Sequence, residues 1–224
     1  MSEFSKSIYN KVIRGSKRAH YDKALVYEIL DSHFLCHVPY VHENAAIVIP
    51  TAYGRKGDRL FIHGSMKNRM MLSLLEQEKV SLSVTHLDGL VLARSVFHHS
   101  VNYRSVVVFG SSVLIEDPAE KMEALEIITE NIIAGRWAEA REPNEKELNS
   151  TLVIGIDITE ASAKVRDEGA VDETFDHDLD VWAGVLEIEA HPGRAVKNED
   201  CKAGLDTPAS VLNFKFQNKG VKVV

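Results

Sequence analysis

Only two cysteines occur in 224 residues, Cys36 and Cys201, far apart and without ligand-like spacing. That excludes a disulfide framework and leads to the expectation of reduced thiols in a cytoplasmic protein. No apolar run approaches the length needed to cross a bilayer. The basic, polar lead up to Arg18 has no apolar core, so no secretory signal is expected. Positive charge is also scarce. Twenty-six Lys and Arg stand against 33 Asp and Glu, and the net charge of −7 argues against general nucleic-acid binding. Neither the G-x-G-x-x-G fingerprint nor the G-x-x-x-x-G-K-[ST] phosphate loop is present. No Ser-His-Asp order, paired-carboxylate motif or reactive-cysteine context stands out, so hydrolysis is disfavoured and no catalytic residue is assigned. There is no internal repeat and no low-complexity segment.

What is present centres on residues 47–75. Leu60-Phe61-Ile62-His63-Gly64 reads as a strand that turns directly into a helix, with Ser65 as the expected N-cap. Met70, Met71, Leu74 and Leu75 follow at helical spacing. The charges run against the helix dipole, with Lys67 and Arg69 in the first turn and Glu76 and Glu78 near the end. A bound phosphate between the two cations would resolve that conflict, and a solvated basic helix end is the alternative.

Around this stretch the chain alternates short β-type runs with few helices. A helix is expected over Tyr21–Ser32, then strands at Phe34–Val41 and Ala45–Tyr53, separated by Glu43-Asn44. Gly54 to Asp58 reads as a hairpin loop. Val80–His86 and Leu90–Phe97 are expected to be two strands joined by a tight Leu87-Asp88-Gly89 turn. A long strand follows over Arg104–Ile115. Asp117-Pro118-Ala119-Glu120 then announces a helix, with Met122, Leu125, Ile128 and Ile132 on its buried face. Thr151–Val165 is the last clear strand, and Val181–Ile188 a further candidate. Hairpin connections with two or three helices imply a mainly β, antiparallel barrel with peripheral helices. The organisation expected is a helical lead over 1–33, a barrel core over 34–166, and an extension over 167–224 packed on the barrel or a partner.

Several segments, in order, resemble the flavin-nucleotide-binding split-barrel proteins of the pyridoxamine 5′-phosphate oxidase-like superfamily, close to the nitroimidazole-resistance reductases. They are Arg14-Gly15-Ser16-Lys17-Arg18 with Tyr21-Asp22, Leu60 to Arg69, Asp88 to Arg94, Asn102 to Gly110, Gly135-Arg136-Trp137, Ser162 to Arg166 and Trp182-Ala183-Gly184-Val185. The resemblance implies an antiparallel split β-barrel, a homodimer, and FMN bound at the subunit interface. It places the FMN phosphate at the strand-to-helix turn, with amides of Gly64 and Ser65, the cations Lys67 and Arg69, and Asn68 where the oxidases carry serine. Ile49, Pro50, Thr51 and Ala52 would run under the flavin ring, His63 would reach ribityl or phosphate oxygen, and Arg104 and Ser105 would approach flavin or the dimer seam.

The implied activity is that of an FMN-dependent reductase or oxidase acting on a small electron-poor substrate, with NAD(P)H as a possible donor. The alternatives are a non-enzymatic FMN carrier and a haem-binding or haem-degrading split-barrel protein. Adjacent His98 and His99 point to opposite faces, and His33 and His37 lack a third ligand, so no metal site is expected. No membrane or nucleic-acid partner is expected. Pyridoxamine phosphate oxidation is disfavoured, because the residues after Trp182 do not match that oxidase's arginine-rich substrate segment.

Overall fold

The computed structural model describes residues 2–216; the end of the expected extension, 217–224, lies outside the described residues. Asp22 opens α1 (Lys23–Asp31) by accepting from the Leu25 amide at 3.0 Å. A two-residue strand β1 (Ala19–His20) precedes it. There follow β2 (Leu35–His42), β3 (Ala45–Lys56), β4 (Arg59–Ser65), α2 (Arg69–Leu75), β5 (Val80–Leu92) and β6 (Ser100–Leu114). The remaining elements are α3 (Pro118–Ile132), α4 (Arg136–Glu139), α5 (Glu145–Asn149), β7 (Thr151–Arg166), β8 (Gly184–Glu187) and α6 (Ala209–Leu212).

All pairings are antiparallel, in the order β7-β4-β3-β2-β5-β6, and β6 returns to pair with β7, closing a ring of six strands. β1 and β8 add to its edges, on β7 and β5. Alternation drives the closure, since inward residues such as Leu60, Ile62, Leu82, Val84, Val106, Val108, Ile154 and Ile156 are sealed from solvent. Val26, Ile29 and Leu30 of α1 and Met70, Met71 and Leu74 of α2 join the same core. The N-terminal helix is therefore built into the core. Asp117 caps α3 through the amides of Ala119 and Glu120, with Pro118 at its first position. Its buried residues are Ala124, Leu125 and Ile128, while Met122 packs only partly against the second core, around Ile115 and Val153. No helix among the described residues is long and apolar enough to cross a membrane.

Three local expectations change. The Asp88-Gly89 pair does not turn the chain: β5 runs unbroken, and its register with β6 shifts between Leu87 and Gly89. The extra residue, Asp88, is a β-bulge whose carboxylate is buried. Gly54 is not in a loop either. It lies inside β3, where an added Cβ would come within 2.6 Å of the Ile127 carbonyl on α3, and the chain reverses at Gly57-Asp58. Finally, α2 starts at Arg69, with Asn68 as its N-cap in place of Ser65.

The acidic run after Arg166 is held to the ring through basic side chains. Arg94 pairs with Asp172 at 2.7 Å, Arg18 with Glu168 at 2.7 Å, and Arg166 spreads over Asn102, Glu168 and Gly169.

Ring closure leaves little room at Gly110, where β6 meets β7 at a register shift. A Cβ there would sit 1.9 Å from the Asp157 carbonyl oxygen. Gly110→Ala should cost on the order of 2 kcal/mol or more in urea denaturation, because backbone must move. Gly193→Ala, with nothing within 4 Å, should change stability by less than about 0.5 kcal/mol.

Candidate cofactor cleft and adjoining cavity

The sheet forks between β3 and β4. Their register runs from Lys56↔Arg59 to Tyr53↔Ile62 and ends there, while β3 continues along β2 from Ala52 to Ala45 and β4 continues along β7 to Ser65. Edge groups alternate along an antiparallel strand. Tyr53 donates its amide to the Phe34 carbonyl at 3.1 Å, so odd-numbered residues of β3 address β2 and even-numbered ones address the opening. Pro50 consequently places its missing N–H on the open edge, where the loss costs no ladder bond. Ile49 and Thr51 direct their backbone groups to β2, leaving the Pro50 carbonyl on the open edge and Ala52 at the fork itself.

The same alternation divides the turn after β4. The Asp58 carbonyl accepts from Ile158 of β7, so even-numbered residues of β4 face β7. The Gly64 amide belongs to that ladder, and Ser65 is the residue whose edge faces the opening. Gly64 serves packing: a Cβ there would lie 2.7 Å from Met71 Sδ and 2.9 Å from Asn68 Nδ2. The turn closes through the Asn68 amide on the Ser65 carbonyl at 2.9 Å, and Asn68 Oδ1 accepts from Met71 at 3.2 Å. Asn68 is thus engaged as a cap. Lys67 and Arg69 are exposed and, among the described residues, make no ion pair or side-chain hydrogen bond. At seven residues α2 has a small dipole, so attraction for an anion would rest on these two side chains. His63 is exposed on β4, beside the fork.

Arg104 and Ser105 lie elsewhere. Arg104 is 5% exposed and forms a two-point pair with Asp88, Nε to Oδ2 at 3.0 Å and Nη2 to Oδ1 at 2.8 Å. Ser105 Oγ donates to the Lys164 carbonyl at 3.4 Å. The Arg104–Asp88 pair borders a cavity of about 570 Å³ lined also by His33, His86, Phe34, the end of α3 and residues of the C-terminal segment. None of residues 49–52 or 63–69 lines it. The rings of His33 and His86 stand edge to face at 4.9 Å. Burial holds both imidazoles below the usual histidine pKa, and the Arg104 charge adds to it; His86 is pushed down to about 4. Both rings are thereby held toward the neutral form. Asn131 fixes the rim by donating to the carbonyls of His33 at 3.0 Å and Tyr53 at 2.8 Å.

Sequence reasoning brought Arg104 forward but missed Asp88, His33 and His86 as its neighbours. The available signal was the Asp-Gly pair, which marks either a hairpin turn or a bulge. Only the pairing of β5 with β6 separates the two.

Comparison with known proteins places the chain firmly. A family model described as pyridoxamine 5′-phosphate oxidase matches residues 22–165. The structure of the flavocytochrome Anf3 from Azotobacter vinelandii is 35% identical over 94% of this chain and 98% of that one, with a TM-score of 0.88. The FAD and haem binding protein from Mycobacterium smegmatis is 32% identical over 89% of this chain and 98% of that one, with a TM-score of 0.83. A candidate 5-nitroimidazole antibiotic resistance protein from Bacteroides thetaiotaomicron, 20% identical over 66% of this chain and 86% of that one, shares the fold at a TM-score of 0.57. No curated protein sequence matches.

The buried Asp88–Arg104 pair gives a prediction of its own. Asp88→Ala should destabilise by about 3–5 kcal/mol, because Arg104 would be left charged and unpaired. The double replacement Asp88→Leu with Arg104→Met should recover most of that loss in the same denaturation measurement, since no buried charge remains.

Proposed function

The chain belongs to the pyridoxamine 5′-phosphate oxidase family, and on that premise we propose that it is a flavin-nucleotide-binding redox protein whose second cofactor is haem. The observation that carries the flavin half is the fork between β3 and β4. It leaves the edge of β3 at Pro50 open beside a turn bearing two cations that have no partner among the described residues. An open strand edge suits the polar rim of a flat ring, whose groups can replace the missing strand's. Lys67 and Arg69 suit a phosphate, with the Ser65 edge and charge-assisted bonds available to it. When bound, flavin supplies hydride and single-electron transfer; the protein's part is orientation and shielding. His63 stands where it can bond to a ribityl or phosphate oxygen.

FMN, expected from the sequence, ends in the phosphate this turn would hold. FAD, which the name of the Mycobacterium smegmatis protein carries, presents a phosphate at the same position along its ribityl chain. The turn reads what the two share. Likeness to two haem-bearing relatives over nine-tenths of the chain supports haem as a partner to the flavin, a possibility the scattered histidines alone did not favour. The proposed chemistry is reductase or oxidase chemistry on a small electron-poor acceptor, with NADH or NADPH as electron donor. Anaerobic bleaching by either nucleotide followed by turnover would support it, and a flavin that resists both would favour a carrier.

A homodimer completes the reading. Val101, Val107 and Val113 are apolar residues exposed on the outer side of β6, and Phe97, which precedes that strand, is 85% exposed. Soluble proteins seldom leave such a face uncovered, and a second copy is the proposed cover.

The test is a calorimetric comparison. FMN should bind much more tightly than riboflavin, and Arg69→Ala should weaken FMN binding by about 1.5–3 kcal/mol while leaving riboflavin unchanged. The loaded protein should scatter light as a dimer. Wild-type FMN affinity in Arg69→Ala would remove the phosphate from this turn, and a loaded monomer would remove the shared interface.

A further inference from the structure

The cavity beside Arg104 is separate from the flavin cleft, and its volume of about 570 Å³ lies within the roughly 300–1,000 Å³ range of cofactor pockets. Its walls combine apolar surface from Phe34, Ile132 and Phe216 with the imidazoles of His33 and His86. Lys215 adds a cation that, among the described residues, makes no ion pair. Arg104 is already neutralised by Asp88.

The two histidines differ in which ring nitrogen is free. His33 Nδ1 accepts the backbone amides of Phe34 at 3.0 Å and Leu35 at 2.9 Å. An amide can only donate, so the lone pair of the neutral ring is committed and the proton sits on Nε2. That nitrogen cannot ligate a metal while it keeps its proton. His86 has the reverse arrangement. Its Nε2 lies 3.3 Å from the Ile29 carbonyl and 3.2 Å from Ser32 Oγ, and a carbonyl can only accept, so Nε2 carries the proton. Ser32 Oγ donates to that same carbonyl at 2.9 Å, which keeps its lone pairs for His86. The lone pair of His86 is therefore on Nδ1, which has no protein partner among the described residues and is not sealed from solvent. A ring N–H anchored on a backbone carbonyl is the support that metal-ligating histidines use.

We infer that this cavity is the haem site, with His86 Nδ1 as the iron ligand, His33 as a hydrogen-bonded wall and Lys215 as the cation for a propionate. The inference rests on the haem reading above and adds the place and the ligand. His99 provides a control. Its Nε2 also lies near a carbonyl, Ala93 at 3.2 Å, yet it does not line this cavity.

The experiment is a haemin titration of the full chain, followed by the Soret band and the electron paramagnetic resonance of the ferric state. It compares wild type with His86→Ala, His86→Gln, His33→Ala and His99→Ala, each checked for folding by circular dichroism. Both His86 variants should lose the wild-type ligation spectrum and bind haemin at least tenfold more weakly. Added imidazole should restore the spectrum in His86→Ala, which a merely structural role would not allow. His33→Ala and His99→Ala should keep the wild-type spectrum. A folded His86 variant with wild-type spectrum and affinity would overturn the assignment while leaving haem as cofactor. Wild-type protein that takes up no haemin would overturn the haem reading as well.

Discussion

The need to pair every backbone edge governs this molecule. Closing β6 onto β7, from Tyr103↔Arg166 to Leu114↔Ile154, gives the ring almost no free edge, so each interruption of the ladder is informative. The fork after Tyr53 and Ile62 opens the cleft proposed for flavin. The bulge at Asp88 turns a carboxylate inward to Arg104 and shapes the rim of the second cavity. Both candidate sites therefore arise from departures from regular pairing.

Electrostatics follows the same division. Exposed pairs such as Lys23–Asp58 and Arg141–Glu147 sit on the surface and contribute little to stability. Arg104–Asp88 is buried and complete, which makes it costly to break and a fixed landmark in the cavity wall. Lys67 and Arg69 belong to neither class. Among the described residues they are cations without acid partners at the mouth of a cleft, the arrangement a phosphate would complete.

Much of the architecture was legible in the residues. Asp117-Pro118 marked the start of α3, Glu43-Asn44 marked a turn whose residues do adopt positive φ (48° and 63°), and alternating apolar runs located the ring strands. Pro50 lies in β3 opposite His37 of β2, with its missing N–H on the side away from that ladder. Where the reading failed, the cause was tertiary. Gly54 and Asp88-Gly89 are locally ordinary turn signals, but packing against α3 and pairing with β6 decide their conformation. Ser65 is a good N-cap by type, yet the chain uses it to close a turn and leaves the cap to Asn68. The cavity was beyond the reach of spacing altogether, since His33, His86 and Arg104 come from α1's end, β5 and β6.

The proposed function requires a bound flavin nucleotide. The most direct test is the visible absorption spectrum of the freshly purified protein, with mass spectrometry of whatever it releases on denaturation. The account predicts flavin absorption together with a Soret band, and release of FMN or FAD with haem. Protein that is colourless as purified and releases neither cofactor, and stays so after incubation with both, would contradict it.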